Sequence, residues 1–136
     1  MKIAVDFDGT IVENKYPRIG KPRLFAFEVM KALQGEGHLL VLWTCRYGNS
    51  LAEAVNFCRE NGVEFYAVNA NYPEENLEKP LGRSPKINAD IYIDDRQIGG
   101  FIGWSEIWQQ LSDADNQRSD YGKELRSKNL WERIFK

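Results

Sequence analysis

Apolar and amphipathic stretches alternate along the chain, and polar segments containing Gly, Pro or Asn separate them. Short apolar runs predict four strands, at residues 2–5, 38–43, 63–68 and 89–93. Apolar residues at helical spacing predict three helices, at residues 23–34, 50–60 and 104–111. The second strand is almost continuously apolar, which is typical of a strand buried on both faces of a parallel sheet. This order of elements predicts a doubly wound α/β fold, a Rossmann-like, mostly parallel sheet flanked by helices.

Local signals place the ends of some elements. Ser50 and Glu53 have the spacing of a capping box, which predicts that the second helix begins at Ser50. A polar stretch after residue 112 divides the chain into a core over residues 1–112 and a linker with a helical tail over 113–136. The tail is partly amphipathic, so we expect it to pack either on its own domain or on a second copy in a homo-oligomer.

Composition narrows the class of protein. A length of 136 residues predicts one domain, and a net charge of -2 argues against a nucleic-acid partner. No apolar run approaches the roughly 18 residues that span a bilayer, and the N-terminal run is too short for a signal peptide. We therefore expect a cytoplasmic protein without a membrane partner. Cys45 and Cys58 match neither a zinc spacing nor a disulfide framework, so we interpret both as reduced thiols.

Polar residues follow the ends of three predicted strands. Asp6 and Asp8 follow the first strand, Thr44 follows the second, and Asp94 and Asp95 follow the fourth. Ligands of parallel sheets bind beyond the carboxyl ends of the strands, so we expect these side chains to meet. Clustered carboxylates raise one another's pKa unless a cation neutralises them, and Mg²⁺ typically binds a few carboxylates while it retains water. A phosphorylated substrate suits such a site because metal and phosphate balance each other's charge.

These residues resemble the four motifs of the haloacid dehalogenase superfamily of phosphohydrolases. Asp6-Phe7-Asp8-Gly9-Thr10 is similar to the first motif, Thr44 to the second, Lys86 to the third and Ile93-Asp94-Asp95 to the fourth. The motifs occur in the order that the family shows, and the resemblance covers about residues 1–111. It implies a Mg²⁺-dependent phosphomonoesterase that works through an aspartyl-phosphate intermediate.

The resemblance also implies a role for each acid. Asp6 is the expected nucleophile, and Asp8 is the expected general acid and base. The expected Mg²⁺ ligands are Asp6, the main-chain carbonyl of Asp8, and Asp94. Asp95 is expected to bind the ion directly or through a water molecule.

Hydroxyl and ammonium groups complete the implied machinery. Thr44 and Lys86 are expected to orient the oxygens of the phosphoryl group. Lys79 and Arg83 lie close to Lys86 in the sequence and are alternatives for the third motif. The residues themselves do not decide among these three cations.

Four residues near the first two motifs are expected to contact the substrate: Gly9, Thr10, Arg18 and Arg46. For Arg46 two interpretations stay open, because a guanidinium at this place either clamps the substrate or pairs with an acid. Basic residues are concentrated in segments 15–23 and 79–86. They predict a basic entrance to the site, and hence a substrate that carries anionic groups besides the phosphate to be removed.

The connections set the access to the site. Segments 11–20 and 69–85 are each too short for a cap domain of roughly 50 residues, so we expect an open, capless site. The leading hypothesis is a phosphatase of a small phosphorylated metabolite, such as a sugar phosphate. Because an open site admits bulky substrates, the ends of nucleic acids and phosphoproteins are alternatives. A non-catalytic, receiver-like switch domain also uses acids, a Thr and a Lys, but their order along the chain differs from this one.

Overall fold

A four-stranded sheet lies at the centre of the computed structural model, which describes residues 1–79, 82 and 84–116. The strands are β1 (Lys2–Val5), β2 (Leu39–Leu42), β3 (Ala67–Val68) and β4 (Ile91–Ile93). The helices are α1 (Ala26–Gly35), α2 (Gly48–Glu60), α3 (Glu75–Glu78) and α4 (Trp104–Asn116). The strand order is β3-β2-β1-β4, and each neighbouring pair is parallel. The predicted α/β fold is thus confirmed.

Side chains that alternate along β1 separate two layers of the core. Ile3 and Val5 belong to a large apolar cluster with buried residues of α1, α2 and α4. Ala4 points the opposite way and packs in a smaller cluster with Ala70 and Ile87. These two residues lie in the connection between β3 and β4, which also contains α3. Helices therefore cover one face of the sheet, and the β3–β4 connection covers the other.

The central strand β1 is the point at which the sheet changes its direction of growth. From β1 the chain proceeds to β2 and then to β3 on one side, whereas β4 pairs with the other side of β1. Right-handed crossovers in opposite directions along a sheet place their connections on opposite faces. Ligands of open α/β sheets bind at the carboxyl ends of the strands beside such a reversal. A ligand site is therefore expected beside the residues that follow β1 and β4.

The start of α2 differs from the prediction, and the capping box at Ser50 is wrong. The helix begins at Gly48, and Tyr47 precedes it without a side-chain cap. The Ser50 hydroxyl donates to the Tyr47 carbonyl at 2.9 Å, so it bonds backwards within the first turn. The first helix also begins later than predicted, because Phe25 immediately before it has a left-handed φ of 64°.

Other boundaries shift in both directions. Strand β3 is shorter than the apolar run that predicted it, since Val63 and Phe65 pack in the core without joining the ladder. Strand β4 begins at Ile91 and not at residue 89. Helix α4 continues to Asn116, past its predicted end at residue 111, so the predicted linker does not begin at residue 113. The rest of the expected linker and tail, residues 117–136, lies outside the described part of the chain, as does its expected contact with its own domain or with a second copy.

No cap domain interrupts the described residues. Between β1 and α1 the chain forms turns and two isolated bridges, and between β3 and β4 it forms α3 as its one described element. The capless architecture expected from the short connections is confirmed. None of the described helices is long and apolar enough to span a membrane.

Candidate active site

The acids that follow β1 and β4 lie together at the predicted edge of the sheet. Asp6, Asp94 and Asp95 are half-buried, and one carboxylate oxygen from each lies within 4.8 Å of the other two. The backbone amide of Asp6 donates to the carbonyl of Ile93 at 3.0 Å, which extends the pairing of β1 with β4 into this cluster. The structure therefore brings together three of the four acids that the sequence assigned to a metal.

Hydrogen bonds orient these carboxylates. The Thr10 hydroxyl donates to Asp6 Oδ2 at 3.1 Å and lies 3.4 Å from Asp95 Oδ1. Oδ1 of Asp94 accepts from the backbone amide of Arg96 at 3.1 Å, so its side chain caps the turn that follows β4. Groups in the two loops that follow β1 and β4 thus orient the three acids.

The cluster strongly perturbs Asp6. Burial, a hydrogen bond with Asp95 and the charge of Asp94 raise the pKa of Asp6 from its ordinary value of 3.8 to about 7, while the Phe7 amide and the Thr10 hydroxyl oppose the shift. Three carboxylates in half-buried positions repel one another, and a divalent cation removes that repulsion. Their oxygen donors are the hard ligands that Mg²⁺ prefers, and a site with few carboxylates leaves room for its water ligands. The donor set therefore fits Mg²⁺.

Gly9 makes the approach of Asp95 possible. Its φ is 89°, and a Cβ atom at this residue would lie 2.1 Å from Asp95 Oδ2. Its amide donates to the Val12 carbonyl at 2.7 Å, and its carbonyl accepts from Arg23 Nε at 3.1 Å. Gly9 is buried, so it supports the acids and does not meet the expectation of a substrate contact.

Thr10 has a similar supporting role. It is fully buried, its hydroxyl bonds to Asp6, and its carbonyl accepts from Trp104 Nε1 at 2.8 Å. The prediction that Thr10 contacts the substrate is therefore wrong, because the residue is fully buried and its amide, hydroxyl and carbonyl all bond within the protein. Trp104 thereby fixes the backbone of the first motif from α4.

The side chain of Asp8 does not join the cluster of the three acids. Its two carboxylate oxygens accept from Arg46, Oδ2 from Nε at 2.7 Å and Oδ1 from Nη2 at 2.8 Å. This bidentate ion pair decides the alternative that the sequence left open for Arg46: the guanidinium pairs with an acid. Hydrogen bonding to Asp8 also raises the pKa of Arg46. The expected ligation of Mg²⁺ by the main-chain carbonyl of Asp8 stays a prediction.

Arg46 is 2% exposed, which excludes the predicted contact with substrate. Its remaining N–H groups bond to backbone carbonyls: Nη1 to Pro17 and Ser50, both at 3.2 Å, and Nη2 to Arg18 at 2.8 Å. The guanidinium therefore has a partner for each of its five donors. The expectation that it clamps the substrate is wrong, because no donor remains for a ligand.

Thr44 lies at the carboxyl end of β2, next to the end of β1, as predicted. Its amide donates to Asn69 Oδ1 at 2.9 Å, and its hydroxyl oxygen accepts from the Arg46 amide at 3.1 Å. Asn69 was not singled out in the sequence, although its left-handed φ of 50° is a conformation that Asn adopts more readily than most residues. Thr44 is half-buried, so its hydroxyl can still donate towards the site.

Of the cations proposed for the third motif, Lys86 and Lys79 are described by the structure, and neither joins the acids. Lys86 is exposed, and its Nζ lies 4.9 Å from the centre of the Tyr92 ring. Among the described residues, no ion pair links Lys86 to the cluster. Lys79 is exposed after α3, and Arg83 lies outside the described residues. The identity of the third-motif lysine stays a prediction.

Basic residues do lie beside the first motif. The carbonyl of Arg18 bonds to Arg46, and its side chain is exposed, as are those of Lys15 and Lys21. Arg23 was predicted as part of a basic entrance; it is half-buried and reaches the carbonyl of Gly9. The expected contact of Arg18 with substrate stays a prediction, and its position is compatible with it.

Comparisons with known proteins add a structural relative. The solved structure of a conserved protein from Bacteroides thetaiotaomicron is 48% identical to this chain and superposes on it with a TM-score of 0.78. The match covers 90% of this chain and 98% of that one. Neither protein-family profiles nor curated proteins match the chain.

Proposed function

The chain belongs to the family of that conserved Bacteroides thetaiotaomicron protein, and we propose that it is a Mg²⁺-dependent phosphomonoesterase of the haloacid dehalogenase type. The observation that carries the proposal is the convergence of Asp6, Asp94 and Asp95 within 4.8 Å at the end of the central strand. A single exposed acid is common on protein surfaces, but three half-buried carboxylates without a basic partner among the described residues form a site for a cation. Asp8 lies two residues from Asp6, where a second carboxylate is needed for proton transfer.

In the proposed reaction Asp6 is the nucleophile. One of its carboxylate oxygens forms a bond to phosphorus while the bond from phosphorus to the leaving oxygen breaks, which produces an aspartyl phosphate. Water then attacks the phosphorus, and cleavage of the acyl phosphate releases inorganic phosphate and restores the Asp6 carboxylate. Attack requires the ionised form of Asp6. Because its pKa is raised, ionisation of Asp6 depends on neutralisation of the neighbouring carboxylates.

Asp8 is suited to move the protons in both steps. Each carboxylate oxygen has two lone pairs, and Arg46 occupies one on each oxygen. A free lone pair therefore remains to accept a proton from the attacking water. In the first step the leaving oxygen would take its proton from the protonated form of Asp8, and this form is restored when Asp8 accepts the proton of the attacking water.

Asp6 and Asp94 would hold the Mg²⁺ ion, with Asp95 binding directly or through water. When bound, the ion neutralises the carboxylates and the charge of the phosphoryl oxygens. The Thr44 hydroxyl, at the neighbouring strand end, would donate to a phosphoryl oxygen. We propose a small phosphorylated metabolite as substrate, and the open site leaves room for larger ones.

The test is phosphate release from p-nitrophenyl phosphate and a panel of phosphorylated metabolites, measured with Mg²⁺ and with a chelator. Wild type is compared with Asp6→Asn and with Asp90→Asn, a control acid that is exposed before β4 and accepts from the Lys2 amide. We expect metal-dependent turnover in wild type and in Asp90→Asn, and its loss in Asp6→Asn by at least about 10³-fold. Equal turnover in wild type and Asp6→Asn, or none on any substrate, would contradict the proposal.

A further inference from the structure

The Arg46 side chain joins parts of the protein that are far apart in the sequence. Its guanidinium bonds to Asp8 after β1, to the carbonyls of Pro17 and Arg18, and to the carbonyl of Ser50 in α2. We propose that Arg46 is a positioning residue that fixes the Asp8 carboxylate and the rim loop (residues 15–18) as one unit. The part of the proposal that concerns Asp8 in catalysis rests on the phosphatase function proposed above.

Two aromatic rings hold the plane of the guanidinium. The carbon at its centre lies 5.0 Å from the centroid of the Phe7 ring and 5.2 Å from that of the Tyr16 ring. Such cation–π contacts favour one position of a guanidinium, and a planar fork bonds well to a carboxylate only when its plane is correct. Phe7 is the residue between Asp6 and Asp8, whereas Tyr16 belongs to the rim loop. The rings thus connect the first motif and the rim loop through Arg46, as the hydrogen bonds do.

The shared nitrogen sets the distance between the loop and the acid. Oδ1 of Asp8 and the carbonyl oxygen of Arg18 both lie 2.8 Å from Arg46 Nη2. The backbone of the rim loop is therefore directly beside the carboxylate, and the exposed side chains of Lys15 and Arg18 start from a fixed base. A substrate group that binds this loop would be held at a defined position relative to Asp8.

Lysine cannot replace this arrangement. A lysine ammonium has three donors on one nitrogen, whereas the five acceptors around Arg46 are spread over the edges of a planar group. We therefore expect Arg46→Lys to keep a charge near Asp8 and to lose part of the bonding to the loop. Arg46→Ala loses both, and a small guanidinium ion added to the solution can occupy the space that it leaves.

Limited trypsin digestion tests the hold on the loop without requiring activity. Trypsin cleaves after Lys15 and Arg18, and cleavage needs local release of the backbone. The proteins are wild type, both Arg46 variants and Met30→Ala, a control that truncates a fully buried residue of α1. We expect cleavage at these sites to be at least about tenfold faster in Arg46→Ala than in Met30→Ala, with Arg46→Lys in between.

Steady-state kinetics on p-nitrophenyl phosphate with Mg²⁺ test the hold on Asp8. We expect kcat of Arg46→Ala to fall about 10²-fold while KM changes less than about threefold, because a misplaced group slows the chemical step more than binding. Millimolar guanidinium should restore part of kcat in Arg46→Ala and none in Met30→Ala. If Arg46→Ala does not fold, Arg46→Lys is used for both measurements, with a smaller loss expected.

The outcomes separate this proposal from the proposed function. Cleavage in the Arg46 variants no faster than in Met30→Ala, or a kcat loss no larger than that of Met30→Ala, would overturn the positioning role. If wild type shows no turnover on any substrate, the phosphatase function fails. In that case the digestion alone decides whether Arg46 holds the rim loop, and faster cleavage in its variants supports that hold.

Discussion

Gly9 and Asp95 pack so closely that a Cβ atom at Gly9 would lie 2.1 Å from Asp95 Oδ2. Any side chain at this position must therefore displace Asp95 from the acid cluster. The relationship joins the end of β1 to the end of β4 and makes the position of Asp95 in the acid cluster depend on the absence of a side chain at Gly9.

We predict that Gly9→Ala weakens Mg²⁺ binding by about 10- to 100-fold, because a ligand or its support is moved out of place. Isothermal titration calorimetry with MgCl₂ measures the effect. Gly37→Ala is the matched control, since Gly37 has a similar φ of 91° and no atom within 4 Å of its Cβ position. Equal Mg²⁺ affinity of the two variants would show that the displacement of Asp95 does not matter for the ion.

We predict that the metal-free protein loses stability as the pH rises from about 4 to about 7. Asp6 has a pKa of about 7 in the folded state against an ordinary 3.8, so between these values the folded state binds more protons than the unfolded state. The stabilisation is complete below pH 3.8 and disappears as the pH passes 7. Urea unfolding in EDTA at pH 5 and pH 8 measures the change, and Asp6→Asn should show a smaller one.

Mg²⁺ should counteract this loss of stability at high pH. The ion binds the ionised carboxylates, so the rise in Tm on addition of Mg²⁺ should be larger at pH 8 than at pH 5. Thermal unfolding at a fixed Mg²⁺ concentration checks this, with Asp90→Asn as a control that should behave like wild type. The same rise in Tm at both pH values would contradict an ion bound through Asp6.

Two buried tryptophans form a natural pair for measuring one hydrogen bond. Trp104 Nε1 donates to the Thr10 carbonyl at 2.8 Å, whereas Trp108 Nε1 is buried without a partner among the described residues. We predict that Trp104→Phe lowers the free energy of unfolding by about 1–3 kcal/mol more than Trp108→Phe, because the Thr10 carbonyl is left unpaired. Chemical denaturation of both variants measures the difference. Equal losses of unfolding free energy would show that the hydrogen bond from Trp104 to Thr10 contributes no net stability.

The two cysteines should differ in reactivity. Cys45 is exposed, whereas Cys58 is buried in α2, and burial raises its pKa to about 12. Because the thiolate is the reactive form, we predict that one thiol per folded chain reacts rapidly with Ellman's reagent and that the second reacts after denaturation. Cys45→Ser should remove the rapid phase, and Cys58→Ser should leave it intact. Two rapid thiols in wild type would contradict the burial of Cys58.

The sequence was sufficient for the order of the four strands and the three longer helices, but not for α3, and for the place of three of the four acids. Strands of a parallel sheet are apolar along their whole length, so polar residues mark where they end, and topology then brings neighbouring ends to one edge. Asp6, Asp94 and Asp95 were predictable in this way. Element boundaries were less so, because residues such as Val63 pack in the core without joining a ladder.

The partners of individual polar side chains were decided by the tertiary structure. Arg46 lies 38 residues from Asp8 in the sequence, and it was equally placed for a substrate or an acid until packing of Phe7 and Tyr16 oriented its guanidinium. Asn69 and Trp104 likewise reach the site through contacts between distant segments.

The pattern of apolar and polar residues by itself therefore determined which strand ends carry the clustered acids, since burial of strands depends on local composition. Only the tertiary structure decided which of those residues are exposed to a ligand and which support others. Gly9 and Thr10 support Asp95 and Asp6, and Arg46 supports Asp8. The physical reason is that hydrogen bonds of side chains depend on distances of a few tenths of an ångström between loops, and such distances follow from the packing of the whole core.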